Sequence, residues 1–188
     1  MKKIWFTIIL LSLGSLLPAA GDKLFASLGA AVLLPGDSRF ADIYGTAQFG
    51  PELRVGFNMY KNFYFWLGGC YFPAKGTIPV LEDEARATQS LLSLGAGWET
   101  RRTRRLQADL FAALLLAGFR EKAMGTTASK MAAGFEVGTG LRYFLQKKLF
   151  LGMAVGYAGA WTSVRSGGAE KDIILGGVRV SGRLGIRF

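Results

Sequence analysis

The closing stretch Val178-Arg179-Val180-Ser181-Gly182-Arg183-Leu184-Gly185-Ile186-Arg187-Phe188 decides how this chain is read. Val178, Val180, Leu184, Ile186 and Phe188 share one parity, broken by Gly182. Arg179, Ser181, Arg183, Gly185 and Arg187 share the other. A strand sends alternate side chains to opposite faces, so one face here is apolar and the other carries arginines. Such a strand fits a sheet laid over a soluble core. It also fits a closed barrel in a bilayer, whose apolar face meets lipid and whose polar face lines the interior. The rest of the chain separates the two.

Composition narrows the choice. The chain has 188 residues, enough for one domain, and is 51% hydrophobic while carrying 26 glycines and 36 charged residues. A helical membrane protein would gather its apolar residues into runs of about 20. Past the N-terminus no such run exists, and dispersed apolar residues among glycines fit alternating strands better.

Residues 1–20 are the exception. Lys2 and Lys3 precede an apolar segment from Ile4 to Leu17, and Pro18-Ala19-Ala20-Gly21 offers small residues for cleavage. The pattern predicts a secretory signal peptide over 1–20, cleaved after Ala20 or Gly21, and a barrel over 21–188. A retained anchor helix is the alternative. Without Lys2 and Lys3 the chain keeps 21 basic and 13 acidic residues, a net charge of +8. Export argues against nucleic acid as the partner and in favour of anionic lipid or lipopolysaccharide phosphate. Cys70 is the single cysteine, so an internal disulfide is excluded.

Eight segments read as strands. They begin near Lys23, Gln48, Phe63, Gln89, Leu106, Met131, Leu149 and Ile173. In the second, Leu53, Val55, Phe57 and Met59 oppose Glu52, Arg54, Gly56 and Asn58. In the fourth, Leu92, Leu94, Ala96 and Trp98 oppose Ser93, Gly95, Gly97 and Glu99. In the fifth, Leu110 and Leu114 oppose Asp109, although Leu110 to Gly118 also suits a buried helix. In the sixth, Phe135, Val137, Leu141 and Tyr143 oppose Glu136 and Arg142. The third segment is aromatic on both parities and its faces stay unassigned.

Connections after the second, fourth and sixth segments are short; the others read as longer loops. Those loops hold Asp37, Arg39, Lys75, Glu82, Asp83, Glu84, Lys122, Lys130 and Arg165. This alternation matches a membrane barrel with short turns on one side and long loops on the other. Glycines fall mostly on the charged parity, where they leave room in a narrow interior. Tyr60, Phe63, Tyr64, Trp98, Phe119, Tyr143, Phe150 and Trp161 sit near segment ends, as interfacial girdles would. The expected fold is all-β: an eight-stranded antiparallel up-and-down transmembrane β-barrel.

The stretch Ala133-Gly-Phe-Glu-Val-Gly-Thr-Gly-Leu-Arg-Tyr-Phe-Leu145, then a short turn and Leu149-Phe-Leu-Gly-Met, resembles the small outer-membrane barrels of the OmpA, OmpX and OmpW type. The likeness implies a monomer in the cell outer membrane of a Gram-negative-type envelope, porin-like in architecture and surface exposed. A peptidoglycan-binding domain has no counterpart. It also implies that Val180, Leu184, Ile186 and Phe188 act as a signal for the outer-membrane insertion machinery, with Gly182 departing from the pattern. Barrel enzymes of that membrane resemble one another in using an active-site histidine.

This chain has no histidine, so Ser-His and Asp-His arrangements are impossible. One cysteine makes no metal cluster. No cofactor and no enzymatic activity are expected. The chemistry that remains is charge on the inward parity: Glu52, Arg54, Glu99, Asp109, Glu136, Arg142, Arg179, Arg183 and Arg187. An eight-stranded barrel is just wide enough for side chains to fill, so arginines of the last strand would reach the carboxylates across the interior. The expected role is non-catalytic, structural or surface-interactive, with a lumen plugged by ion pairs. A narrow channel for small solutes or ions is the alternative. Two others are a soluble periplasmic barrel that binds lipid inside, and a subunit of an assembly complex docking through the basic turn Arg101 to Arg105.

Overall fold

The computed structural model describes residues 23–60, 62–77, 84–101, 103, 105–123, 125–166 and 169–188. The signal-peptide expectation for residues 1–20 lies outside them, as do Glu82, Asp83, Arg102 and Arg104. The strands are β1 (Leu24–Pro35), β2 (Gln48–Tyr60), β3 (Phe63–Thr77), β4 (Glu84–Arg101), β5 (Leu106–Ala123), β6 (Thr126–Phe144), β7 (Leu149–Ser166) and β8 (Ala169–Arg187). Each pairs antiparallel with the next, and β8 returns to β1 to close the barrel. The closing ladder runs from Phe25 opposite Arg187 to Pro35 opposite Gly177. Closure leaves no unpaired edge.

The alternation of the last strand sets the sidedness of the wall. Val178, Val180, Leu184 and Ile186 face outward and are exposed, while Arg179, Ser181 and Arg183 are buried inside. The neighbouring strands agree. Leu92, Leu94 and Trp98 of β4, Leu110 and Leu114 of β5, and Phe135, Val137, Leu141 and Tyr143 of β6 form an apolar belt. A soluble barrel hides its apolar face; this one displays it.

Glycines on the inward face create room for rings. A Cβ at Gly97 would lie 2.3 Å from the Tyr64 ring, and one at Gly185 would lie 2.2 Å from the Phe150 ring. Gly182, which faces outward, has nothing within 4 Å of that position.

Several expectations need correction. Strand β3 resolves into Phe63, Phe65, Leu67 and Tyr71 outside and Tyr64, Trp66, Cys70 and Phe72 inside. Tyr64 and Phe150 are buried in the interior, so they are not girdle residues. Phe119 packs inward against Phe40. The segment from Leu110 to Gly118 is strand, not helix. Most of the long loops are strand as well. Pro73 to Thr77 pairs with Glu84 to Thr88, and Ala123 pairs with Thr126 across a two-residue turn in which Gly125 has φ +72. Ser166 of β7 pairs with Ala169 of β8. Beyond the belt the outward positions are charged, as at Lys75, Arg86 and Lys122, while Ala85 and Ala87 face a buried interior, so the apolar-outward alternation of the belt reverses although the hydrogen bonds continue.

The connection from β1 to β2 holds a short helix, α1 (Ser38–Tyr44). Asp37 caps it by accepting from the backbone N–H of Arg39 at 2.9 Å and of Phe40 at 3.3 Å. The helix lies at the end of the barrel opposite the short turns.

Candidate functional site

The interior is layered. Toward α1 lies an apolar layer that includes Leu33, Phe72, Leu91, Leu115 and Leu175. Toward the short turns lies an aromatic layer of Phe25, Tyr64, Trp66, Phe111, Phe144 and Phe150. Charged groups occupy the space between and below them, carried there by the inward parity of β2, β4, β5, β6 and β8.

The upper cluster joins Glu52 and Glu136 to Arg54, Arg179 and Arg183. Arg179 donates to Glu136 and lies 3.8 Å from Glu52. Arg183 lies 3.6 Å from Glu52. Arg54 lies 3.4 Å from Glu52 and 3.8 Å from Glu136. Glu136 also accepts from the Ser93 hydroxyl at 2.6 Å, and Arg179 donates to the Cys70 sulfur at 3.2 Å. All five ionic groups are buried. Removing a charge of this kind from water is costly, and mutual pairing offsets the cost.

The lower cluster is built around Arg142. Glu99 and Asp109 are direct cross-strand neighbours on β4 and β5, and two like charges there would repel. Arg142 places one guanidinium nitrogen 3.1 Å from Glu99 and the other 3.1 Å from Asp109. The planar fork of arginine suits such bridging. Arg187 lies 3.8 Å from Glu99 and donates to the Gln107 amide oxygen at 3.3 Å.

Aromatic rings support both clusters. The Arg54 guanidinium carbon lies 3.7 Å from the Trp66 ring centroid and 4.9 Å from that of Phe111. Arg142 lies 4.7 Å from Tyr64 and 4.9 Å from Phe25. Arg187 lies 4.9 Å from Phe144. Contacts of this type contribute up to about 2 kcal/mol where both partners are desolvated.

The structure thus places all nine inward charges in the interior, in two clusters of five and four. Reading the sequence did not find the rings that hold the arginines, nor Ser93, Cys70 and Gln107 as partners. Ser93 does carry a signal, because it shares its parity with Glu99. Trp66 carries none, since both parities of β3 are aromatic. The four apolar residues of the last strand divide differently: Val180, Leu184 and Ile186 are exposed on the outer wall, and Phe188 is half-buried, its N–H donating to the Leu24 carbonyl at 2.8 Å. Of the basic turn, Arg101 ends β4 opposite Gln107, Thr103 and Arg105 are exposed, and the Thr103 hydroxyl accepts from the N–H of Leu106 at 3.0 Å. Among the described residues no cluster of three or more Cys, Asp or Glu is placed to hold a metal ion.

At the other end, α1 lies across the mouth. Tyr44 is buried against Ala85 and Ala87 and donates to the Glu121 carboxylate. Burial, and then this carboxylate, hold the phenol well above its ordinary pKa. A cleft of about 350 Å³ opens beside the helix, lined in part by Phe40, Ile43, Phe119, Ile174 and Leu175.

The sequence matches no family model and no curated protein. Solved structures do match. OprG from Pseudomonas aeruginosa superposes with a TM-score of 0.70 at 13% identity, covering 88% of this chain and 95% of that one. Neisserial surface protein A gives 0.63 at 14% identity, covering 88% and 97%. Outer membrane protein W of E. coli gives 0.54 at 16% identity, covering 88% and 97%. The fold is that of the small outer-membrane β-barrels. As in the sequence resemblance, likeness to this barrel type extends over nearly the whole described chain.

Proposed function

We propose that this chain is exported through residues 1–20 and resides in the outer membrane as a monomeric, non-catalytic barrel with a structural or surface-interaction role. The observation that carries the reading is the inversion of the wall: apolar outside, charged inside. An apolar belt on a closed sheet is stable against lipid and aggregates in water. The fold likeness to outer-membrane proteins supports the location. The absence of histidine and the engagement of the carboxylates with arginine support a non-catalytic role.

On this reading the ion-pair and aromatic layers close the lumen. Val180, Leu184, Ile186 and Phe188 present the apolar strand face that the insertion machinery would recognise. No cofactor and no nucleic acid take part.

Two measurements test it. Purified protein should require detergent throughout and migrate differently on gels before and after boiling; release from membranes by buffer alone would overturn the membrane reading. Reconstituted in a planar bilayer it should stay silent. Stable single-channel openings whose ion selectivity changes in Arg183→Ala would replace the plug with the channel.

A further inference from the structure

Strand register gathers cations on one sector of the outer wall. Lys75 on β3 is opposite Arg86 on β4, and Arg86 is opposite Lys122 on β5. All three share the outward parity of the belt and are exposed. Adjacent strands lie about 4.8 Å apart, so the row spans about 10 Å, the breadth of a disaccharide. Arg120, one step lower on β5, faces outward beside Thr88 and Ser129. The carboxylate described on this sector is Glu84, which lies 3.7 Å from Arg86 with both side chains largely in solvent.

Their height on the wall identifies the surroundings. Arg86 is twelve residues from Trp98, the belt aromatic at the opposite end of β4. At about 3.3 Å per residue and a tilt near 40°, that places the cations about 30 Å from Trp98 along the barrel axis. An apolar band on such a barrel is about 25 Å tall, so the row stands just beyond it, at headgroup level. Directly beneath, the wall is indented. Ser90 and Gly118 are cross-strand partners between Tyr71 and Met131, and the depression there measures about 440 Å³. The depression runs from Arg120, at the lower edge of the cation row, to Tyr71 and Met131 of the apolar belt, as an acylated headgroup would require.

We propose that this sector of β3 to β6 binds a phosphorylated glycolipid of the outer leaflet, its phosphates on Lys75, Arg86, Arg120 and Lys122 and its nearest acyl chain in the depression over Gly118. The inference rests on the membrane location proposed above. The glycolipid phosphates neutralise a row of like charges that otherwise repel across adjacent strands. Lysine and arginine donors match phosphate oxygens with charge-assisted hydrogen bonds.

The test uses the full-length barrel in nonionic detergent and reads lipid retention by native mass spectrometry. The probes are diphosphoryl lipid A and the same lipid with both phosphates removed. Wild type should retain the diphosphoryl form at least ten times more strongly. The variant K75Q/R86Q/R120Q/K122Q should lose that preference, whereas K147Q/K148Q at the short-turn end should keep it. Gly118→Leu fills the depression with the cations in place; an added Cβ there meets Ser90 at an ordinary 3.8 Å, so the wall tolerates it. That variant should bind several-fold more weakly. Undiminished binding by the quadruple variant, or equal retention of the dephosphorylated lipid, would overturn the site. Gel mobility before and after boiling keeps the two proposals apart: a variant that still forms a detergent-dependent barrel but never preferred the phosphates sinks the site alone.

Discussion

Arg54 lies over Trp66, its guanidinium carbon 3.7 Å from the ring centroid, inside a closed barrel. The same guanidinium reaches Glu52 and Glu136, so a ring on β3 orients a charge on β2 toward carboxylates on β2 and β6. Arg54→Lys keeps the charge but replaces a planar fork by a point charge that does not stack. We expect the lysine variant to lose about 2 kcal/mol of unfolding free energy in detergent, a few-fold more than an exposed Lys-for-Arg exchange. Trp66→Ala removes the platform and a buried ring together, and should cost about 3–5 kcal/mol. Urea titration with tryptophan fluorescence for the first variant, and gel mobility for the second, give the comparison. Equal stability of all three proteins would show that the stack contributes nothing.

Glu136 accepts from Arg179 and Ser93 and faces Arg54 as well. Glu136→Gln leaves two buried guanidinium groups short of a carboxylate, a change that typically costs about 3–5 kcal/mol. Removing both charges, as in Glu136→Gln with Arg179→Met, should recover part of that loss. A double-mutant cycle on unfolding free energy measures the coupling, and strict additivity would argue against it.

The last strand offers an internal control. Gly185→Ala drives a Cβ to 2.2 Å from the Phe150 ring, whereas Gly182→Ala meets nothing within 4 Å. The first should destabilise by about 1–3 kcal/mol through overpacking. The second should be within about 0.5 kcal/mol of wild type, because it only adds a methyl group to the outer wall. Both changes lie three residues apart on one strand, so a shared effect on strand propensity cancels in the comparison.

The latch between α1 and the wall predicts a pH dependence. The Tyr44 phenol ionises at higher pH in the folded protein than in the unfolded chain, so the folded state holds its proton more tightly. Its contribution is therefore complete below the ordinary tyrosine pKa of about 10 and declines as pH rises above that value. Hydrogen exchange of amides 38–44 should accelerate once the pH passes that point. Tyr44→Phe, which lacks the donor to Glu121, should show faster exchange already at neutral pH. If the two proteins exchange alike, the hydrogen bond does not hold the helix.

Most of the wall could be read from residue order because outward-facing and interior-facing positions differ in chemistry. Val180 beside Arg179, and Leu94 beside Ser93, report their faces directly. Trp66 beside Phe65 does not: the interior needs rings to stack on arginine and the belt needs rings too. Arg86 and Lys122 escaped for a different reason. Beyond the belt the outward positions turn polar and the inward ones are small, as at Ala85 and Ala87, so the apolar-outward pattern that marks the wall stops there and ladder positions resemble loops. The helix α1 has seven residues, too few to show amphipathic periodicity, and Asp37 was its sole local mark. The pairing of particular charges depends on curvature and stagger around the closed sheet, which no local pattern encodes.

The seam between the first and last strands has a consequence for biogenesis. Phe25 meets Arg187 across almost the entire length of the chain. Every other ladder forms between strands adjacent in sequence, so hairpins can assemble as the chain emerges. The seam must wait for the final residues to arrive. Until then both terminal strands are open templates for pairing with other molecules, and the outward apolar belt is not yet held on a closed sheet. A nascent copy is thus most exposed to aggregation in the interval before the seam closes, and an escort that covers strand edges would act in that interval.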